Sequence, residues 1–452
     1  MRTTIFTFLL CLGLTTIQAQ NAYPKILTEK ERADIIDEIL VDRFDNLLPK
    51  LMRREGIDMW ILISREYNED PVMKTMLPAE WLSARRRTVM VFFDKGDSVT
   101  ASGARQAGIE KIAIARYDVG LLKASWNLNV YPDQWDALME AIKERQPKKI
   151  GVNISPNYAH ADGLSHHEYG EMMKKMPEMY KNKVVSAEKL AVAWLETRTA
   201  KEMTLYEHIA HISHQIVREG LSEKVIQPGV TTTDDVVWWY RQKVTELGLD
   251  TWFHPTVDIQ KADTARFDHL RTFSKRPKAE VIEQGDLLHV DFGIQYLRLN
   301  TDMQEHAYVL RGGEKTVPDY LQKAFKKANR LQDILTENFK AGKTGNQILS
   351  DALAQAQKEG INGSIYTHPI GFHGHAAGPT IGMWDNQKGI PGPGDYPMFP
   401  NTAYSIELNA SVAIPEWNNK IIRIMLEQDG FYDGQKFRYI DGRQEEIYSI
   451  PR

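Results

Sequence analysis

The first 190 residues alternate between helical and strand-like patterns of hydrophobic positions. Thr28 to Glu31 has the spacing of a capping box, which opens an amphipathic helix with apolar positions up to Leu47. A second helical pattern covers 135–146. Short apolar runs typical of buried strands lie at 59–63, 88–93, 111–115 and 149–154. Strands that alternate with helices predict an α/β domain over residues 25–190.

This first part of the chain contains no motif for metal binding or for nucleophilic catalysis. Its histidines are His160, His166 and His167, and no acidic residue stands at metal-ligand spacing from any of them. We therefore expect all three to be surface residues.

From residue 196 to the end, long helical patterns replace the short ones, and one arrangement occurs twice. The first copy runs from Gly229 through a helix to His254-Pro255, and the second runs from Gly342 through a helix to His368-Pro369. Corresponding positions are 112 to 114 residues apart, and each copy then enters strands that carry acidic residues. This repetition predicts a domain of two similar halves over residues 196–452.

Two acidic residues lie on neighbouring strand-like segments of the first half. Asp291 lies near the end of the segment Gly285–Gly293, and Asp302 falls on the polar face of Tyr296–Leu310. A hairpin with a short even loop at Tyr296-Leu297 would place them directly opposite, with Cβ atoms roughly 5 Å apart. Carboxylates held that close repel each other unless a cation lies between them. For an isolated pair, two surface acids on a solvated sheet would be the more common explanation.

A second acidic pair favours a metal site over two surface acids. Glu407 lies on the polar face of the alternating segment Ala403–Ala410, and Glu427 lies on the strand candidate Ile421–Gln428. A segment rich in glycine and histidine, residues 368–378, separates the acids of the two halves. Four carboxylates and an imidazole suit manganese, cobalt or zinc, and that much negative charge predicts two cations.

The amino-acid composition and the first residues of the chain indicate which partners and which location to expect. The chain has 56 basic and 60 acidic residues, so its net charge gives no reason to expect nucleic acid or a membrane surface as partner. Residues 1–19 fit a signal peptide, and the apolar run within them is too short to span a bilayer. The single cysteine, Cys11, lies in that segment, where lipidation is the less favoured alternative. We expect an exported protein without disulfides.

These residues resemble the family of methionine aminopeptidases, prolidases and Xaa-Pro aminopeptidases, the M24-type metallopeptidases with a pita-bread fold. The segment Gly285–Gly293 is similar to the family's first-ligand strand, and Gly374-His375-Ala-Ala-Gly378 fits its Gly-His-x-x-Gly motif. The resemblance covers roughly residues 196–435. It implies a curved antiparallel sheet flanked by helices in two pseudo-symmetric halves, preceded by an α/β domain like that of creatinase and prolidase.

The resemblance also implies a five-ligand, two-metal site. Asp291 would bind the first metal, and Asp302 and Glu427 would bridge both metals. His375 and Glu407 would bind the second metal. The metal is expected to be manganese, with zinc or cobalt as alternatives. Glu407 would also be the proton shuttle. A substrate-contacting histidine would be His269, with His254 as the alternative.

Three departures from the family pattern concern the ligands and the substrate contacts. His373 stands two residues before His375, so it is an alternative metal ligand. Gly382-Met383 replaces the family's usual His-Glu, which makes His373 the candidate for the missing substrate contact. The usual Arg-x-Glu is here Arg423-Ile-Met-Leu-Glu427, which keeps the arginine and Glu427 on one strand face.

The function that follows is an exported dinuclear metallopeptidase that hydrolyses Xaa-Pro bonds at a free N-terminus, either as an aminopeptidase or as a dipeptidase. The alternatives are a binding protein that kept the fold without catalysis and a creatinase-like hydrolase of a non-peptide substrate. The expected partner is a peptide or dipeptide. The sequence does not decide between a monomer and a homodimer.

Overall fold

The computed structural model describes residues 23–99, 105–262 and 279–451. The predicted signal peptide and His269 lie outside these residues. Within them, none of the helices combines the length and the apolar character that crossing a bilayer requires.

The first helix begins where the capping box predicts. The Thr28 hydroxyl accepts a hydrogen bond from the Glu31 N–H, and the Glu31 carboxylate accepts one from the Thr28 N–H at 2.8 Å. A five-residue π-helical turn, Arg43–Leu47, then leads into the second helix. The helices of this part of the chain are α1 Glu29–Asp42, α2 Leu48–Glu55, α3 Pro71–Met76, α4 Gln134–Arg145, α5 His166–Lys175, α6 Glu178–Lys181 and α7 Glu188–Glu196.

These helices pack on a mixed sheet with the spatial order β4-β3-β2-β1-β5-β6. Its strands are β1 Met59–Arg65, β2 Arg87–Val99, β3 Arg105–Ala113, β4 Lys123–Ala124, β5 Ile150–Val152 and β6 Val184–Ser186. The central strand β1 is apolar without alternation because both faces of the sheet are covered. Trp60 packs into one core and Ile61 into the other, and both are fully buried. The predicted α/β pattern is confirmed.

The rest of the chain is built from long helices and mainly antiparallel strands. The helices are α8 Ala200–Gly220, α9 Thr233–Glu246, α10 Asp319–Glu337 and α11 Gly345–Lys358. The strands of the first half are β7 Thr256–Gln260, β8 Leu287–Phe292, β9 Gln295–Tyr296, β10 Leu299–Asn300 and β11 Met303–Val309. Those that follow are β12 Asn362–Ile365, β13 His368–Pro369, β14 Thr402–Ser405, β15 Leu408–Ile414, β16 Lys420–Leu426, β17 Asp429–Tyr432, β18 Phe437–Tyr439 and β19 Tyr448–Ile450.

The two halves repeat in detail. Helix α9 begins after the capping threonine Thr232 and α11 after Thr344, each with a complete capping box. Gly248 and Gly360 follow the two helices with φ of 62° and 70°, a left-handed conformation that glycine adopts without strain. In each half, a helix pair precedes the strands that carry the acidic residues. The duplication predicted from the sequence is therefore present in the structure.

The two parts of the chain share one core, and polar contacts cross between them. Arg298, in the turn between β9 and β10, donates a hydrogen bond to the carbonyl of Leu77 at 2.8 Å, just beyond α3. Arg43 donates to the carboxylate of Glu202 in α8 at 2.7 Å. The α/β part thus contacts both the hairpin and a helix of the second part.

Candidate metal centre

The first two acidic residues sit on a hairpin whose register differs from the predicted one. Its turn is Leu297-Arg298, with φ of 53° and 64°, and not Tyr296-Leu297. Asp291 therefore lies opposite Gln304, and Asp302 falls between β10 and β11, two positions from the predicted pairing. A shift of two residues keeps every side chain on its original face, so both aspartates still point to the same side. The predicted direct opposition was wrong, but the shared face was right.

The other two acidic residues lie where strands end. The predicted continuous strand 403–410 is broken, because β14 pairs with β13 and β17 while β15 pairs with β12 and β16. Glu407 lies in the break between β14 and β15, and Glu427 directly follows β16. The backbones of Glu427 and Gln304 exchange hydrogen bonds of 3.0 and 3.3 Å, which joins the second half to the hairpin.

These four carboxylates converge. Asp291, Asp302 and Glu427 each offer an oxygen, and the three oxygens lie within 4.8 Å of one another. Glu407 and Glu427 form a second such group with a histidine. The strands of both halves thus bring together all four acidic residues that the sequence singled out.

The histidine of the second group is His368, which the sequence analysis used only to mark the repeat. It is 2% exposed, and its Nε2 lies 3.6 Å from Asp302 Oδ2 and 3.5 Å from Glu427 Oε1. This nitrogen has no hydrogen-bond partner among the described residues. The strand pairing of His368 with Ser405, two residues before Glu407, brings it there.

His375 lies beside His368, and His373 does not. The His375 ring meets the His368 ring edge to face with centroids 4.7 Å apart, and His375 forms a potential ligand group with Asp302 and His368. Gly374 gives the loop its close approach, since a Cβ there would lie 2.3 Å from the indole of Trp252. His373 points elsewhere, with its ring centroid 4.5 Å from that of His160, and belongs to none of the ligand groups found among the described residues.

His160 was expected at the surface, and that expectation was wrong. It is half-buried because the segment Ala159–Ala161 of the α/β part packs against the loop that carries His373. His166 and His167 are exposed, as predicted. Sequence reasoning missed His160 because its neighbour lies more than two hundred residues away in the other part of the chain.

Of the two candidates for the substrate-contacting histidine, only His254 lies among the described residues. His269 lies outside the described residues. His254 packs its ring on Trp238, with centroids 5.3 Å apart, and its Nδ1 lies 3.2 Å from a nitrogen of Arg241. These contacts assign no substrate role to His254.

The electrostatics of the cluster are those of an anionic site in need of cations. Burial, and then the negative charge of Glu427, raise the pKa of Asp291, of Asp302 and of Glu407 well above the ordinary range. Burial opposes ionisation of Glu427 as well, but the nearby His368 imidazole and hydrogen bonds from Ser405 and Gln304 lower its pKa. Among the described residues, no lysine or arginine pairs with these four carboxylates.

The donor set fits divalent metal ions. Asp291 Oδ1, Asp302 Oδ1 and His368 Nε2 are buried and lack hydrogen-bond partners among the described residues. Buried polar atoms are normally paired, so unpaired oxygens and an unpaired imidazole nitrogen aimed at one another mark a place for a cation. Carboxylate and imidazole ligands suit manganese, zinc and cobalt. His368 extends the predicted set of Asp291, Asp302, His375, Glu407 and Glu427.

An α/β part, a two-halved antiparallel domain and a carboxylate–histidine centre at its middle together define a metallopeptidase of the pita-bread type. The chain belongs to metallopeptidase family M24, whose model matches residues 204–433, just over half of the chain. Among curated proteins, none matches the chain.

Similar solved structures span nearly the whole chain. An X-Pro aminopeptidase from Thermotoga maritima has a TM-score of 0.60 at 15% identity, covering 89% of this chain and 100% of that one. An Xaa-Pro dipeptidase from Bacillus anthracis has a TM-score of 0.56 at 16% identity, covering 93% and 100%. The N-terminal domain of FACT complex subunit SPT16 from chickpea, Cicer arietinum, has a TM-score of 0.53 at 12% identity, covering 94% and 99%. At these identities the likeness concerns the fold alone.

Proposed function

We propose that this protein is an exported dinuclear metallopeptidase that hydrolyses Xaa-Pro bonds at a free peptide N-terminus. The observation that carries the proposal is the convergence of Asp291, Asp302, Glu407 and Glu427 with a buried histidine that has an unpaired nitrogen. Family membership supports the peptidase chemistry. The names of two structural neighbours, an X-Pro aminopeptidase and an Xaa-Pro dipeptidase, support the choice of bond.

The metal ligands in this proposal are the four carboxylates and His368, with His375 as the neighbouring imidazole. His368 is the better placed of the two histidines because it touches both Asp302 and Glu427 from a buried strand. We propose two ions, with manganese first and zinc or cobalt as alternatives. Divalent ions at such a site activate water and polarise the scissile carbonyl.

Glu407 is the proposed acid–base residue. Burial and the charge of Glu427 raise its pKa, which favours a carboxyl group that can hold a proton between two steps. Glu407 would take a proton from the attacking water and give it to the departing proline nitrogen. The proline amide has no N–H, so recognition cannot rest on a backbone hydrogen bond at that nitrogen. Glu407→Gln should therefore lower turnover by at least ~100-fold, the usual scale for acid–base assistance.

The test is a comparison of substrates with purified protein that has been stripped of metal and reloaded with manganese. Ala-Pro dipeptide, a longer Ala-Pro peptide and an Ala-Ala peptide of equal length are hydrolysed side by side, and Glu407→Gln is the matched inactive control. We expect cleavage of the proline substrates and little of the Ala-Ala peptide. Equal rates on all three would refute the proline preference, and no cleavage at all would favour a binding protein.

A second measurement decides between the histidines. His368→Ala should lower manganese content measured by elemental analysis, whereas His375→Ala should retain more metal and lose turnover. The opposite pattern would give the ligand role to His375, as the resemblance implied.

N-terminal analysis of protein from the native host tests export, because retention of Met1 would contradict removal of residues 1–19.

A further inference from the structure

The hairpin places a buried glutamine among the acidic residues. Gln304 is directly opposite Asp291 in the register of β8 and β11 and is 6% exposed. Its Nε2 lies 3.0 Å from Glu407 Oε1 and 2.7 Å from Glu427 Oε2. One amide nitrogen therefore donates to both carboxylates of the second half, from a strand of the first half.

The orientation of this amide follows from its neighbours. Ionised carboxylates accept hydrogen bonds and cannot donate them, so the nitrogen end of the Gln304 side chain must face Glu407 and Glu427. The opposite end, Oε1, lies 2.9 Å from Nε2 of His289, which supplies the donor that a carbonyl oxygen needs. With the amide reversed, an oxygen would face two carboxylates and a nitrogen would face a ring nitrogen.

His306, on the same strand as Gln304, contacts the backbones of the two neighbouring strands β8 and β16. His306 lies within hydrogen-bond distance of the Leu288 carbonyl through Nδ1, at 2.9 Å, and accepts from the Met425 N–H through Nε2, at 3.1 Å. Gln304 and His306 point to the same side of β11, so side chains of one strand hold both β8 and β16. The strand that leads to Glu427 is thus fixed beside the hairpin that carries Asp291 and Asp302.

We propose that Gln304 is a positioning residue for the metal centre, that its single amide nitrogen sets the spacing of the Glu407 and Glu427 carboxylates, and that His289 fixes the orientation of that amide. Outer-shell partners of this kind orient ligands, and their loss typically lowers metal affinity ~10–100-fold. The inference rests on the metal site of the proposed function. It concerns affinity for the ions, and not the identity of the peptide.

The test measures manganese binding in the absence of substrate. Metal-free wild type and Gln304→Met, which preserves the length of the side chain without its hydrogen bonds, are titrated with manganese by calorimetry, and free ion is followed by electron paramagnetic resonance. We expect the Kd of the variant to rise ~10–100-fold. Gln444→Met is the matched control, because Gln444 is similarly buried and, among the described residues, its side chain bonds the backbone of His306 and no metal-centre residue. It should bind manganese as the wild type does.

The role of His289 has its own test. His289→Phe should weaken manganese binding in the same direction, and the double variant with Gln304→Met should bind no more weakly than Gln304→Met alone, since both changes act through one amide. Independent, additive losses would overturn the role of His289.

Either an unchanged or a tighter Kd in Gln304→Met would overturn the proposal, the second because it would mean that the amide competes with the ion. If Gln304→Met fails to fold, Gln304→Asn keeps a buried amide that is one methylene too short, and the same loss is expected. Because no peptide is present, a weaker Kd stands even if Xaa-Pro bonds are not cleaved. Normal Xaa-Pro cleavage with unchanged metal affinity would overturn this inference alone.

Discussion

Two buried groups of charged residues in this protein are organised in opposite ways. Glu202 is fully buried, and its carboxylate accepts hydrogen bonds from Arg43 at 2.7 Å and from Arg198 at 3.0 Å. Asp302 is nearly as buried, but it faces other carboxylates and histidines, and no arginine or lysine among the described residues reaches it. The chain therefore supplies its own cations for one buried acid and leaves the other group for ions from solution. That difference distinguishes the structural group around Glu202 from the metal centre around Asp302.

One aromatic ring joins the arginine cluster to the loop that carries the histidines of the metal centre. Phe372 lies in the loop between His368 and His375, and its ring centroid is 4.9 Å from the guanidinium carbon of Arg43 and 4.5 Å from that of Arg198. Arg43 remains charged despite complete burial, which lowers its pKa only to about 10 because Glu202 offsets part of the effect. The Arg43–Arg198–Glu202 cluster thus supports the loop that carries the histidines of the metal centre.

The largest expected effect comes from breaking the Arg43–Arg198–Glu202 cluster. Glu202→Gln leaves two buried guanidinium groups without their counter-ion, and removing one partner of a buried ion pair typically costs about 3–5 kcal/mol of unfolding free energy. Chemical denaturation measures it. Glu207→Gln is the matched control, because Glu207 pairs with Arg438 at the surface and should change stability by less than about 0.5 kcal/mol. Equal losses of stability in Glu202→Gln and Glu207→Gln would show that the buried cluster stabilises the fold no more than a surface ion pair does.

The same kind of change in the metal centre should act in the opposite direction. Asp302→Asn removes one of several mutually repelling carboxylates, so metal-free protein should become more stable, by about 1 kcal/mol. Its manganese affinity should fall by more than the ~10–100-fold expected for an outer-shell residue. Thermal melting in chelator and calorimetry measure the two quantities, with the exposed Asp351→Asn as control. A destabilised metal-free variant would contradict the comparison.

Adding metal should then stabilise only proteins with an intact centre. At an ion concentration 100 times the Kd, binding to the folded state adds about 2.7 kcal/mol to the free energy of unfolding. We expect this gain for wild type and for Glu207→Gln, and not for Asp302→Asn. Denaturation curves recorded with and without manganese provide the measurement, and an equal gain in all three proteins would place the ions elsewhere.

A third kind of buried acid is Glu196, for which the described residues supply neither a paired cation nor a cluster of acids. Its Oε1 accepts a hydrogen bond from Tyr396, its Oε2 has no partner among the described residues, and burial raises its pKa to about 8. A raised pKa stabilises the fold fully below the unfolded value near 4.5 and loses that contribution as the pH rises through about 8.

Glu196→Gln should therefore match the wild type near pH 4 and gain stability over it by roughly 1.4 kcal/mol per pH unit as the pH rises from about 4.5 to about 8. Melting temperatures between pH 4 and pH 9 test this. Parallel curves for the two proteins would show that Glu196 does not keep its proton in the folded state.

The sequence predicted the parts of the site that depend on local patterns. Alternation along 285–310 placed Asp291 and Asp302 on one face, and the repeat placed Glu407 and Glu427 in the second half. The sequence analysis failed for features that depend on contacts between residues distant along the chain. The turn Leu297-Arg298 contains no glycine or asparagine to indicate positive φ, and Arg298 is held by carbonyls of the other part of the chain. His368 was missed because its strand is two residues long and its partner Ser405 is distant in sequence.

The docking of Arg298 onto the carbonyl of Leu77 has a consequence for the order of folding. The two residues are separated by 221 positions, and closing so long a loop costs entropy before the contact returns any energy. Local helices such as α8 and α10 can form earlier. The hairpin turn, and with it the final spacing of Asp291 and Asp302, should become fixed only when the two parts of the chain dock. During refolding, manganese binding should therefore lag behind the recovery of helical circular dichroism.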